Sequence, residues 1–488
     1  MRQSLRWYDA ITINIYYTGL TALSQTMTPL VLPLLVQQFV GEQQQGTYYG
    51  TIRLWSLMVA LLVQSLMGML SDRSTSRFGR RRPFIFIGSL AVSIIIVLIG
   101  FTAGMEGITG FWVLFALVLL MMVAVNTAHG AVQGLIPDLV PESQRGIFSG
   151  VKSLLEVPVP LILVPFTIGH AIGAGNLWAG LAILIGIILF TMLTTMLAPE
   201  IPLQIAPPQW NWEPFIRLLS MTAVFTLVIL GIGSLIKFLS NILTNFQLTP
   251  ALLIMGALGI TGILLAVIIG VYFSIQIGLG RASKQDRSFT WWVINRLAFL
   301  VGSVNISSFV VYFLQGRFSL QRELAVGPAT RLIMMVGIFI LLLSLPSGWL
   351  SDRFGRKWMV AGSGFLAGLG SLVIILAPNM FVIYLGAILV GSAAGIFYTA
   401  NWALGTEIVP KDEAGRFLGI SNLAGAGAGA IGAYIGGPIA DYFSVNFANI
   451  PGIGYVLLFS IYGILFLISI FAVFQVTLPG QKILNTNP

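Results

Sequence analysis

The sequence has no cysteine, which excludes disulfides and thiolate metal sites. It also has little charge: Asp, Glu, Lys and Arg make up 8% of 488 residues against 57% hydrophobic ones, and mean hydropathy is +0.93. So few charged groups cannot give a chain of this length a polar surface, so a water-soluble protein is excluded and a bilayer is the solvent. No Walker pair, metal-ligand cluster or Ser-His-Asp arrangement occurs, and the glycine run from Gly425 to Gly437 lacks the Lys-Ser/Thr of a phosphate loop. That run permits close helix packing instead. Neither enzymatic chemistry, ATP hydrolysis, a metal nor a cofactor is expected.

What is present is apolar sequence in lengths of about 20 residues, which as helix crosses hydrocarbon with its backbone hydrogen bonds satisfied internally. Fourteen spans are predicted, near 11–36, 51–70, 84–103, 111–136, 147–170, 177–197, 219–240, 251–277, 291–315, 329–350, 358–376, 381–406, 417–441 and 453–477. The first follows Arg2 and Arg6, yet it is too long for a secretory h-region and lacks a small-residue cleavage site, so it is expected to be retained.

A net charge of +9 would suit nucleic acid, but the positions of the charges argue otherwise. With the N-terminus inside, about eighteen of the 25 basic residues fall in alternate loops and about two, Arg317 and Arg322, on the other side. This is the positive-inside bias of a multi-pass protein of a bacterial inner (plasma) membrane, with both termini, including Lys482, cytoplasmic. No nucleic-acid partner is expected, and a monomer in the lipid bilayer is. Arg53, Lys237, Arg296 and Arg331 fall near span ends, where such side chains snorkel to the interface.

The chain also repeats itself. GMLSDRSTSRFGRRRP runs from Gly68 to Pro83 after the second span, and GWLSDRFGRKW from Gly348 to Trp358 after the tenth. LVPESQRGIFSG, ending at Gly150, pairs with IVPKDEAGRFLG, ending at Gly419, so that Pro141 matches Pro410 and Asp138 matches Glu407. These anchors define an N-terminal six-helix bundle (1–197) and a C-terminal one (291–488). Residues 198–290 form a linker and an inserted transmembrane hairpin, which is expected to pack peripherally.

Gly348, Asp352, Arg353, Gly355, Arg356 and Lys357 resemble the signature loop of the major facilitator superfamily, and Gly68, Asp72, Arg73, Gly79 and Arg80 repeat it with STSR inserted before Phe78. In that form the first copy is similar to the sucrose transporters of plants, their animal relatives and the glycoside-pentoside-hexuronide cation symporters. The resemblance implies an all-α major facilitator fold of 6+6 helices plus the two-helix insert, and a secondary transporter working by alternating access. It assigns the loops to gating. In physical terms, Gly68 and Gly348 are expected to let two helices approach closely. Asp72 and Asp352 end their helices where a carboxylate can meet an Arg or a neighbouring helix N-terminus. Asp138 and Glu407 are plausible partners for the loop arginines.

The resemblance further implies that spans one, four, nine and twelve face a central cavity, and each carries polar residues at helical spacing. The first has Asn14, Tyr17, Thr21, Ser24, Gln25 and Thr28; the fourth Asn126, His129 and Gln133; the ninth Asn305, Ser308, Tyr312 and Gln315; the twelfth Ser392, Gly395, Tyr398, Trp402 and Thr406. Amides, hydroxyls and rings with little charge suit a small neutral polyhydroxylated solute, a sugar or glycoside. The same residues can instead bond helix to helix, as polar groups in bundles often do. His129 admits a proton-carrying role and a neutral hydrogen-bonding one.

Coupling to protons, the expected ion, or to sodium calls for an ionisable group inside the membrane, and Glu156, about ten residues into the fifth span, is the acid placed there, with Lys152 one turn earlier. The first span carries no acid near its middle, which leaves an uncoupled facilitator open. Glu156 either exchanges a coupling proton or forms a permanent clasp with Lys152 beside Pro158 and Pro160, where the helix should bend. The alternative from another class is a transport-inactive scaffold of the same fold, or a pigment or lipid delivery factor in membrane assembly. The polar stripes argue against it.

Overall fold

The computed structural model describes residues 5–200, 211–243, 246–280, 287–409 and 414–477; Pro410, Lys482 and parts of both connections to the hairpin lie outside them. The described chain is helical throughout, with no strand among the described residues. Among the described residues thirteen helices are long and apolar enough to cross a membrane, against the fourteen expected. We number these in chain order with one more helix, α13. They are α1 Trp7–Val40, α2 Gln45–Asp72, α3 Arg82–Thr102, α4 Gly107–Leu139, α5 Glu142–Gly173, α6 Leu177–Thr195, α7 Glu213–Ile242, α8 Leu248–Leu279, α9 Arg287–Phe318, α10 Val326–Phe354, α11 Arg356–Leu376, α12 Met380–Ile408, α13 Ala414–Asn446 and α14 Ile453–Phe474. The chain is therefore a multi-pass membrane protein.

Local chemistry sets several of the boundaries. Gly79 and Gly355 stand in the same place in the two copies of the repeated loop, with φ of +107° and +90°, which side chains rarely adopt. Asn176 and Asn379 cap α6 and α12 by accepting a backbone N–H three residues on, at 3.0 and 3.1 Å. Two helices pass through π-helical turns. In α1 a π-helical turn spans Met27–Val31 around Pro29. In α5 the helix stops at Glu156, restarts at Pro158 and passes through a second π turn at Pro165–Gly169. Proline has no N–H to return to the preceding turn, so both interruptions follow from sequence.

The chain forms two compact units whose boundaries differ from those of the repeat. The first holds Met1–Val40, Trp55–Ile216 and Gln321–Thr330; the second holds Gly41–Leu54, Arg217–Leu320 and Arg331–Pro488. In the first, Ile13, Tyr16, Ile85, Ala128, Leu135, Phe148 and Met192 form a buried core joining α1, α3, α4, α5 and α6. Residues 321–330 belong here because Thr330 packs on Gly169, where an added Cβ would lie 2.6 Å from its methyl group.

In the second unit the hairpin α7–α8 is seated by glycines on the C-terminal bundle. The buried Phe225 ring fills the notch between Gly270 and Gly427, where built Cβ atoms would lie 2.4 and 2.3 Å from it. Gly233 takes Tyr434 the same way, and Gly259 takes Ile439 and Ile461. The hairpin is thus closely docked on α13 and α14, and the glycine run serves as its socket. Phe299 stacks on Phe397 at 3.7 Å and Phe313 on Phe459 at 4.4 Å in the core behind.

Candidate functional site

In the first unit, five of the polar residues singled out above gather where α5 breaks. The edge of the Tyr17 ring meets His129 at 6.3 Å, and the Lys152 ammonium lies 4.3 Å over the same ring. Lys152 is 3.5 Å from Glu156, with side-chain exposures of 31% and 36%. His129 contacts the Gln133 amide at 3.3 Å. Glu156 closes one segment of α5 and the next opens on proline, so Leu154 lacks the N–H that Pro158 would have returned. Gln133 and Ser24 are exposed, Gln25 is half-buried, and Tyr17 is buried. The result is a partly open polar face with one carboxylate, one ammonium, an imidazole and amides.

Other members of the stripes are spent on helix contacts. Buried Asn14 donates to the Ala10 and Phe148 carbonyls at 2.9 and 3.1 Å. Buried Asn126 donates to the Met122 carbonyl of its own helix. Asn305 donates to Val301 and to Ala428 of α13 at 2.8 and 3.1 Å, beside Gly432. Tyr312 is enclosed among Tyr49, Phe309 and Tyr455. The expectation that the ninth-span stripe lines an open cavity is corrected: all four of its residues are buried. An amide in lipid is satisfied most readily by a carbonyl that a facing glycine or alanine leaves reachable, and that is what Asn305 has found.

The second unit carries a polar set of its own at α9 and α12. Asn401 donates to Asn295 at 2.8 Å and accepts from Arg296 at 3.1 Å, while Trp292 donates to the Asn401 carbonyl at 2.9 Å. The Arg296 guanidinium lies 5.4 Å over Trp402, a ring that is 39% exposed, and Tyr398 is half-buried one turn away. Arg296 therefore does not snorkel away from the bundle; asparagine and two indoles hold it. Arg53 is likewise buried.

The repeated loops close on carboxylates. Arg81, 6% exposed at its side chain, contacts Asp72 and reaches Asp138 at 2.9 Å; Arg80 also contacts Asp138. Arg81 further donates to Ser71 Oγ at 2.8 Å. Glu200 accepts the backbone N–H groups of Arg81 and Arg82 at 2.7 and 3.1 Å and so caps α3. In the second copy Arg356 alone bridges Glu407 at 3.0 Å and Asp352 at 3.7 Å. Arg353 stacks on Trp349 at 5.5 Å. The helices approach closely at Gly68, but the glycine that permits it is Gly130, where an added Cβ would lie 2.6 Å from Gln64 O and 2.9 Å from Gly68 N; at Gly68 and Gly348 themselves an added Cβ would meet nothing nearer than 3.7 and 3.8 Å. Added Cβ atoms at Gly391 and Gly395 would lie 2.4 and 2.5 Å from carbonyls of α10.

A family model described as Major Facilitator Superfamily matches residues 297–487. Sucrose transport protein SUC3 of Arabidopsis thaliana is 31% identical over 144 residues, 25% of this chain and 22% of that protein. The minor myo-inositol transporter IolF of Bacillus subtilis is 32% identical over 88 residues, 18% of this chain and 20% of that one. The matches span about a quarter of the length of these curated relatives. The solved nucleoside transporter NupG superposes with a TM-score of 0.64 at 13% identity, over 96% of this chain and 100% of that one. The POT family transporter PepTSo gives 0.62 at 10% identity, over 99% and 100%. Identities this low fix the fold alone. Residues 297–487 are thus similar to the Major Facilitator Superfamily.

Sequence reasoning missed several residues that the fold makes prominent. Arg81 sits in a run of three arginines, and only burial separates it from Arg80 and Arg82. Gly134 leaves the space for its guanidinium, since an added Cβ would lie 2.0 Å from Cζ. Asp441, placed at a span end from sequence, is with Asp9 one of the two buried acids among the described residues, and α13 continues past it to Asn446. The signal was present in its position directly beyond the GGP of the glycine run.

Proposed function

We propose that this protein is a secondary transporter that carries a small neutral solute, a sugar or glycoside, by alternating access with a coupling proton. The observation that carries the reading is the cluster at the break of α5. A carboxylate and an ammonium stand there with partial exposure beside Tyr17, His129 and Gln133, on a helix interrupted at that point. Charged groups within a span are expensive enough to mark function, and a partly exposed ion pair contributes only about 0–1 kcal/mol, too little to be kept for stability alone. In the first unit Gln25 and Gln133 supply amides suited to a sugar's hydroxyls. In the second unit, taken by itself, Trp402 and Tyr398 offer ring faces suited to C–H surfaces. The sequence matches to sucrose and inositol transporters support this class of cargo. The positive-inside distribution supports an inner membrane with cytoplasmic termini.

In this mechanism Glu156 holds the proton in one state and pairs with Lys152 in the other. The loop arginines fix the cytoplasmic ends: Arg81 binds Asp72 to Asp138, and Arg356 binds Asp352 to Glu407. The test is Glu156→Gln in proteoliposomes. Accumulation of radiolabelled solute against its gradient should disappear while solute exchange continues. Undiminished accumulation would remove Glu156 from the coupling step.

A further inference from the structure

The second unit contains a carboxylate that the account so far does not use. Asp441, 6% exposed, lies a little over one turn from the end of α13. Its two oxygens accept the N–H groups of Gly46 and Thr47 at 2.8 and 2.7 Å. These donors belong to the first turn of α2, whose N–H groups have no partner within their own helix and carry the positive end of its dipole. The approach is possible because Gly46 meets Gly437, where an added Cβ would lie 2.2 Å from the Gly46 carbonyl oxygen, and Gly50 meets Ala433 at 2.4 Å.

No ion pair reaches Asp441 among the described residues, and every titratable neighbour can be named. Lys237 of α7 faces it across a cavity of about 410 Å³ that Gln43, Gln44, Tyr48 and Asn446 also line. Tyr312 of α9 and Tyr455 of α14 lie on its other side, with Glu42 before α2 and Tyr442 next to it on α13. The cavity gives water, and hence protons, a route to the carboxylate.

We propose that Asp441 is a proton-binding site of the transport cycle, whose ionised form clasps the start of α2 onto α13 and whose protonated form releases it. The inference rests on the alternating-access reading, which requires that contact to part in one state. Both oxygens are accepting, which only the ionised acid can do fully. Moving α2 away would strip both donors from a buried charge without a cation, at a cost of several kcal/mol. Proton uptake removes that cost, so release and protonation are linked: each favours the other. Low pH therefore favours the open clasp and high pH the closed one.

The absence of native cysteine permits a direct test on the full-length protein. Gln44→Cys and Val445→Cys, both exposed and both lining the cavity, take a nitroxide pair in proteoliposomes. The short-distance population should dominate at pH 8 and fall at least about fivefold by pH 5. Asp441→Asn should abolish this pH dependence, and Asp441→Glu should restore it. A pH-independent distribution with Asp441 in place overturns the proposal even if the asparagine variant does not fold. So does an asparagine variant that keeps the full pH profile. The readout needs no solute, so a failure to find cargo would leave it standing.

Discussion

In the first copy of the repeated loop the guanidinium that bridges two carboxylates belongs to Arg81, two residues past the glycine, whereas in the second it belongs to Arg356, directly after it. Asp72 ends α2, where the helix dipole disfavours a negative charge by about 0.3–1 kcal/mol, so it depends on that cation. Asp72 is more than half exposed and water shares the work; Arg81 is enclosed. Arg81→Met should therefore cost about 1–3 kcal/mol, through unpaired partners, and Asp72→Asn no more than about 1 kcal/mol. Thermal unfolding in detergent measures both, and equal losses would contradict the assignment. Gly134→Val, which fills the guanidinium's space, should reproduce the Arg81→Met loss and add little to it in the double variant. At this scale the sequence was partly readable. The duplicated Asp72 and Asp352, with Asp138 and Glu407, stood out because the pattern occurs twice. Which arginine is buried, and that Asn14 and Asn305 bond to carbonyls of other helices, depends on neighbours distant in sequence, which periodicity does not encode.

Among the helices, length and hydropathy located thirteen of the fourteen expected spans to within several residues, the fourteenth, 417–441, being the helix α13. The bend at Pro158 was readable for the same elementary reason. The π turns at Met27–Val31 and Pro165–Gly169 were not, because proline marks a weak point without saying how the backbone repairs it. The hairpin α7–α8 shows the other limit. Its sequence is apolar all round, so no face announces its partner, and only the fold reveals Phe225 seated against Gly270 and Gly427. Phe225→Ala should lower stability by about 3–5 kcal/mol, as for a large aromatic removed from a close-packed site. A shift in thermal unfolding near zero would show that the hairpin is loosely attached.

Over the whole molecule, the six-plus-six repeat predicted the fold, while the compact units exchange short segments across that division: 41–54 joins the second and 321–330 the first. The reassigned segments are the starts of α2 and α10, held by Gly46 against Gly437 and by Thr330 against Gly169. In both, a glycine leaves room for its neighbour: backbone at Gly437 and the Thr330 side chain at Gly169. The central claim is that this fold moves a neutral polyhydroxylated solute. Its most direct test is uptake of radiolabelled sucrose, myo-inositol and a panel of glycosides into proteoliposomes, with and without an inward proton gradient. Saturable uptake of at least one of them, driven above equilibrium by the gradient, is the result the account predicts. Entry no faster than into protein-free liposomes for every solute, with folded and correctly reconstituted protein, would contradict it.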